Sequence, residues 1–319
     1  MKKVSVMMPA FNAEAFIAQA LDSILAQDYE NLEVVVCDDA SKDGTAGIIL
    51  DYAQRYPGKV KAIVNEKNLG VTSNCNLSLH HCDGDFVSLF AGDDLMLPGK
   101  ISKQVAALEA QPDAVLCYHP VEIFNSDTDE CLFVTNQLPR EDVNNFDDML
   151  LKGGIPGGCS IMVRRTAIPE GGYDHRLKTV SDWLFFLEIS LNGPVIKVPE
   201  VLGRYRKHLG GASMQTYKLL EESLLALDLL VEKHPILVSK SALINRAKAR
   251  YLAGEAFRQL ELKDNRAYTL TGKLLAFDTS FKYRILHIAA WMALNVPFTS
   301  TAISFGAGKA KFLIKRLVG

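Results

Sequence analysis

"VSVMMPAFNAEAFIAQALDSILAQDYENLEVVVCDDASKDGT", residues 4–45, decides the fold. Apolar β-like runs open it at 4–8 and close it at 32–37, and each stops at a polar loop, "PAFNAE" and "DDASKDGT". Between them, residues 13–27 set Phe16, Ala20, Ile24 and Gln27 on one row with Ile17, Leu21 and Leu25 beside it. That spacing is the period of an amphipathic helix. Apolar strands joined by such helices predict a largely parallel sheet covered on both faces.

The alternation continues outward. Strands are expected at 59–65 and 86–90 and helices at 44–56 and 73–82. Beyond them come a helix at 99–111, strands at 114–124 and 157–165, a helix at 180–193 and an interrupted strand at 194–208. Residues 125–155 are mixed and acidic and predict no element. After about residue 214 strands vanish, leaving helices at 217–233, 236–262, 265–277 and 281–294. The expected fold is α/β, a Rossmann-like, mixed and mainly parallel sheet flanked by helices over 1–213, with an all-helical extension over 214–319. Residues 251–278 look like one helical hairpin of the tetratricopeptide type. A solenoid needs about three stacked units, so a helical cap is the simpler reading.

With 319 residues, 48% hydrophobic and 23% charged, the chain has ordinary globular usage and length enough for two domains. The net charge of −2 conceals a division: residues 1–213 carry 19 Lys+Arg against 29 Asp+Glu, and 214–319 carry 16 against 8. An acidic half that binds phosphorylated ligands needs a metal to offset repulsion, whereas a basic half suits an anionic surface. The six cysteines form no CxxC and read as core residues of a protein in the reduced cytosol. The apolar run at the N-terminus is too short for a signal peptide.

In open α/β sheets the ligand crevice lies beyond the carboxyl ends of the strands. Two acidic pairs fall there: Asp38 and Asp39 after the second strand, and Asp93 and Asp94 in "DFVSLFAGDDLMLP", residues 85–98. Gly92 would permit the turn that lets the second pair face one cleft. Adjacent carboxylates repel unless a cation sits between them, and a divalent ion taking oxygen ligands is the usual solution. The ordinary reading is a surface turn. Asp182 stands at a predicted helix start, where an N-cap is the ordinary role. Nothing resembles GxGxxG, a P-loop, GxSxG or HExxH, so hydride transfer, ATPase and those hydrolase classes have no support.

Taken together, these residues resemble the family 2 glycosyltransferases, which have the GT-A fold. Residues 4–45 match that family's opening pattern, and "NEKNLGVTSNCNLSLHHCDGDFVSLFAGDDLMLPGKISKQV" its central one. "GGCSIMVRR", "SDWLFFLEI" and "YRKH" follow in order, so the likeness covers roughly residues 3–213. It implies inverting transfer of a sugar from a nucleotide-diphosphate donor, a UDP-sugar first among the candidates, to a hydroxyl of a glycan or lipid-linked acceptor. Pro9, Ala10 and Phe11 would line the nucleotide pocket with Glu14, Asn68, Gly70, Asn76 and Gly92. Asp39 would meet the base, Asp38 would support the loop, and Asp93 would face the ribose or the metal. Asp94 would bind Mn²⁺ or Mg²⁺ bridging the diphosphate, and His208 falls where some members add a metal contact. Asp182 falls where the family carries its general base, and Trp183 could offer a sugar ring an apolar wall. Ala91 stands where many members have a further Asp, Cys75 where an Arg is frequent, and Ser181 where a Glu is usual.

Two other classes stay open: a nucleotidyltransferase of similar fold, and a non-catalytic sugar-binding or scaffolding protein. The first would want a Gly-rich, Arg-containing loop after the first strand, where this chain has "MMPAFNAE". Nucleic acid is an unsuitable partner for the acidic half. Residues 279–319 contain six Lys and Arg and no acid. They read first as an interfacial segment against an anionic membrane, next as a packed helical cap, and last as a spanning helix. The resulting expectation is a cytoplasmic enzyme of polysaccharide or lipopolysaccharide synthesis, peripheral to the inner face of the membrane.

Overall fold

The structure, a computed structural model, describes residues 1–207 and 216–295. The chain divides into two compact units, Met1–Ala212 and Ser213–Gly319.

The first unit is built on β1 (Val4–Ala10), β2 (Leu32–Asp38), β3 (Val60–Val64) and β4 (Phe86–Leu89), interleaved with α1 (Ile17–Leu25), α2 (Thr45–Arg55) and α3 (Val71–His80). All four strands run parallel, in the order β3-β2-β1-β4. β1 is buried nearly throughout, as a strand covered on both faces must be. Val4, Val6 and Met8 pack with Ile17, Leu21 and Ile24 of α1, the row that the helical period selected. The expected helix over 13–27 begins later, because its first residues are held elsewhere. The Ala13 N–H donates to Thr45 Oγ1 at 2.8 Å and the Asn12 N–H to Ser41 Oγ at 2.8 Å, which ties this loop to the one after β2.

Beyond β4 come β5 (Leu95–Met96), α4 (Lys100–Ala110), β6 (Leu116–Tyr118), β7 (Val121–Asn125), β8 (Cys131–Val134) and α5 (Phe146–Lys152). They are followed by β9 (Met162–Arg164), α6 (Ser181–Ser190), β10 (Val195–Lys197) and β11 (Gly203–Lys207). The large sheet is completed as β10-β6-β9-β4, with β9 antiparallel to both neighbours. The single strand expected over 114–124 is two strands in two sheets. The break falls at His119-Pro120, where proline removes a ladder donor and restricts the residue before it.

β7 belongs to a second sheet, β5-β11-β7-β8, which no sequence pattern announced. It decides the site, because β11 runs antiparallel to β5 with Gly203 opposite Met96 and Arg204 opposite Leu95. Continuing that register brings Tyr205 and Arg206 abreast of Asp94 and Asp93.

The second unit contains α7 (Thr216–Lys233), α8 (Ser241–Glu261), α9 (Arg266–Leu275) and α10 (Phe281–Asn295). Leu252, Ala256 and Leu260 of α8, Leu270 and Leu274 of α9, and Tyr283, Leu286 and Ala290 of α10 share one core. Among the described residues no helix is long and apolar enough to cross a membrane. Most of the span 285–308 that suggested one lies outside the described residues.

Candidate active site

Parallel pairing fixes one edge of the site. Ala10 lies opposite Asp38, and the Phe90 N–H donates to Met7 O at 3.0 Å, so the loops after β1, β2 and β4 leave the sheet on the same side. Asp38 is fully buried and anchors its loop by accepting from the Ser41 N–H at 3.0 Å and from the Ser41 hydroxyl. Asp39 accepts from the Leu69 N–H at 2.7 Å, the Gly70 N–H at 2.9 Å and Asn65 Nδ2 at 3.1 Å. Three of its four acceptor positions are therefore occupied, leaving one on Oδ2. Asn68 fastens the same loop from Nδ2 to Asp39 O, and Gly70 sits at φ +85°, a conformation suited to glycine, just before α3. Glu14 Oε2 accepts from the Gly44 N–H at 2.8 Å, while Phe11, next after Pro9 and Ala10, is half exposed at the rim.

The second acidic pair is held from β11. Asp94 is buried, and its Oδ1 accepts from the Arg206 N–H at 3.0 Å. Arg206 Nε donates to the Asp93 carbonyl at 2.7 Å and Nη2 to Gln19 Oε1 at 2.8 Å. Its guanidinium lies over the rings of Phe16 and Phe124, 4.6 and 4.7 Å from their centroids. The buried Cys159 thiol is a near neighbour of Asp94 and favours its charged form. Burial, and then the neighbouring Asp93, push the Asp94 carboxyl well above the ordinary carboxylate range. Gly92 lies in the turn expected of it, across which the Asp94 N–H donates to Ala91 O at 3.4 Å. Its backbone is not left-handed, and a Cβ there would stand 2.8 Å from Ile17 Cδ1, so the turn packs closely under α1.

Asp182 lies in the first turn of α6, where the helix dipole favours an anion. Asp182 is exposed to solvent, and desolvation by the protein around it raises its carboxyl. Its Oδ1 accepts from the Trp183 N–H at 2.7 Å. The start of α6 is fastened to α3, because Thr72 Oγ1 bonds Leu177 O at 2.6 Å and Ser181 Oγ at 3.1 Å. Ser181, where the resemblance expects a Glu, is thus a strut. Trp183 is no sugar wall: it is 6% exposed and faces Gly154, with Nε1 toward Met149 O at 3.5 Å. Asn76 is spent on the backbone of Tyr173, donating to its carbonyl and accepting from its N–H, both at 2.8 Å.

Electrostatics tie the parts together. Burial pushes the Cys75 thiol up to about 12, with Asp182 and Asp39 adding to the shift, so α3 lies between these two acids. Burial likewise takes the Tyr205 phenol up to about 12, and Asp94, Asp93 and Asp182 each push the same way. Tyr205 therefore sits in the field of all three carboxylates. Neither Tyr205 nor the anchoring role of Arg206 can be read from the sequence, where the arginines of "RYRKH" suit a phosphate and an acidic partner equally. Arg204 is the acid-paired one, with Glu122 at 2.9 Å and Asp129 at 3.0 Å.

Among the described residues no group of three or more His, Cys, Asp or Glu could hold a metal ion, and His208 lies outside them. Asp93 and Asp94 offer two hard oxygen donors beside each other, and the displaced acidity of Asp94 marks a place short of positive charge. That donor set fits Mg²⁺ or Mn²⁺, which keep water and phosphate oxygens among their ligands.

Residues 5–170, more than half of the chain, match the family model "Glycosyl transferase family 2". An uncharacterized protein of Mycobacterium tuberculosis (H37Rv) is 32% identical over 218 residues, which are 67% of this chain and 61% of that one. The chain thus spans less than two thirds of that relative's length. The Escherichia coli UDP-Glc:alpha-D-GlcNAc-diphosphoundecaprenol beta-1,3-glucosyltransferase WfgD is 26% identical over 221 residues, 68% of this chain and 82% of that one. Among solved structures, Staphylococcus aureus TarS 1–349 in complex with UDP-GlcNAc superposes with a TM-score of 0.66 at 17% identity, covering 96% of this chain and 89% of that one. The mannosyltransferase PcManGT of Pyrobaculum calidifontis, in complex with GDP-Man and Mn²⁺, gives 0.56 at 18% identity over 95% and 87%. The fold is thus the mixed α/β GT-A type with a helical C-terminal region, and the chain belongs to glycosyl transferase family 2, whose members transfer with inversion.

Proposed function

We propose that this chain moves a sugar, with inversion, from a nucleotide-diphosphate donor, a UDP-sugar first, to a hydroxyl of a glycan or lipid-linked acceptor. The observation that carries this reading is how the acid-bearing loops are tied together. Asp39 accepts from the Leu69 and Gly70 N–H just before α3, Thr72 of α3 fastens the start of α6 that carries Asp182, and the Arg206 N–H holds Asp94. A diphosphate end and a base end of one crevice are what inverting transfer needs. WfgD acts, by its name, with UDP-Glc on a lipid-linked acceptor, which supports cell-surface polysaccharide or lipopolysaccharide synthesis as the setting. Six free cysteines suit a reducing, cytoplasmic compartment.

The acceptor oxygen attacks from the face opposite the leaving diphosphate, and Asp182 accepts its proton. The Trp183 N–H fixes that carboxyl through Oδ1. A carboxyl raised by its surroundings is a stronger base toward a hydroxyl than an ordinary one. Asp93 and Asp94 would hold Mn²⁺ or Mg²⁺, which when bound supplies Lewis-acid stabilisation of the departing diphosphate. Pro9, Ala10 and Phe11 border the donor's base, and the last free acceptor position of Asp39 is available to it. Asn68 and Gly70 shape that pocket through Asp39.

A thermal-shift screen of nucleotide sugars, with Mn²⁺ and with a chelator, tests the donor half, since a ligand of the folded state raises Tm. A cation-dependent rise is expected with a UDP-sugar. A screen in which no nucleotide sugar moves Tm overturns the reading.

A further inference from the structure

Helix α10 has two apolar faces. Tyr283, Leu286 and Ala290, spaced three and four residues apart, are buried in the core of the helical unit. Phe281, Ile285, Ile288 and Trp291 also recur every three or four residues, but they are 78%, 47%, 55% and 49% exposed. A surface helix ordinarily turns charged and polar residues to water on that side. Here α10 has no acid at all, and its two cations, Lys282 and Arg284, fall on either side of the Phe281–Ile285 row on a 3.6-residue wheel.

We propose that this face of α10 lies on an anionic lipid surface. Charge complementarity selects that occupant: residues 214–319 carry a net +8 and residues 279–319 contain no acid. An apolar stripe with Lys at one edge and Arg next to its Trp, at the level of the headgroups, is a form that rests in the interface plane. Over its described residues α10 is not long and apolar enough to cross a membrane. The apolar side chains enter the boundary between headgroups and acyl chains, and the flanking cations meet lipid phosphates. Lipid binding by this helix is independent of sugar transfer, so loss of either leaves the other measurable.

The chain has two tryptophans, and Trp183 is buried while Trp291 is half exposed. Trp291 can therefore report on lipid. Vesicles of phosphatidylglycerol and phosphatidylcholine are added to the full chain, and emission is read with and without bromine on the upper acyl chains. A blue shift with bromine quenching is expected on anionic vesicles, little of either on pure phosphatidylcholine, and no lipid-dependent change in Trp291→Phe. The double variant Ile285→Gln/Ile288→Gln, with its helical circular dichroism intact, should bind anionic vesicles at least tenfold more weakly. Emission unmoved by anionic vesicles overturns the proposal, as does wild-type affinity in the folded double variant. A concentration-dependent dimer by ultracentrifugation, lost in that variant, overturns it in favour of a second copy of the chain.

Discussion

The N–H of Arg206 donates to Asp94 Oδ1 at 3.0 Å, so a residue far along the chain aims the carboxylate proposed to hold the metal. The same arginine's side chain closes on the Asp93 carbonyl and on Gln19 between two aromatic rings. Lysine cannot reproduce that fork and stack. Arg206→Lys should therefore weaken Mn²⁺–nucleotide binding by on the order of tenfold to a hundredfold, the scale of a lost charge-assisted hydrogen bond. Calorimetric titration checks this, and unchanged affinity would remove Arg206 from the site's support.

Asp182→Asn should lower transfer roughly 10²–10⁴-fold, the usual contribution of a positioned base, while donor binding persists. Because Asp182 is raised by desolvation, the acid limb of kcat/KM in the wild type should lie above the ordinary carboxylate value and be lost in the variant. Undiminished transfer by a folded Asp182→Asn would show that another group takes the proton.

Asp94 links metal binding, pH and stability. Its folded carboxyl is raised, so its contribution to stability is complete below the ordinary carboxylate value and is lost as pH rises through the raised one. Asp94→Asn keeps an oxygen for the Arg206 N–H. Without metal it should melt higher than wild type at about pH 7 to 8 and no higher at about pH 3. It should also lose the Tm rise that Mn²⁺ produces in the wild type. Differential scanning calorimetry at the two pH values decides it.

Lys100 is fully buried, bonds Ser88 Oγ at 2.7 Å, and is lowered by burial to about 8. Unfolded lysine titrates near 10.4, so holding this one charged at neutral pH costs the fold roughly 3 kcal/mol. Folding disfavours its proton, so stability rises with pH between those two values. Lys100→Met should raise Tm at neutral pH, and the gain should shrink as pH climbs above about 8. A loss of stability at about pH 7 would mean that the ammonium's interactions with Ser88, Cys159 and Cys117 outweigh what its own burial costs.

Much of the fold was legible because it rests on local periodicity. The strand and helix alternation over residues 4–110, the four C-terminal helices and the loops carrying Asp38, Asp39, Asp93 and Asp94 all follow from which residues repeat every two or every 3.6 positions. One further element could have been read and was not: α5. Asn145 accepts the Asp148 N–H at 3.0 Å as its N-cap, acids fill its first turn, Lys152 its last, and Gly153 ends it in the left-handed region.

Sequence by itself determined the parallel sheet, its loops and the acids at their tips, since strand and helix patterns and turn residues act over a few neighbours. Only the tertiary structure decided what those acids face. The transfer of the chain to a second sheet at His119-Pro120, the pairing of β11 with β5, and the hold of the Arg206 N–H on Asp94 depend on residues far apart in the chain. No local period encodes such pairings, because they are set by which faces remain to be buried once the first sheet has formed. The same limit explains Asn76 and Trp183, whose motif neighbours pointed to a ligand and whose side chains turn to the backbone of Tyr173 and Met149.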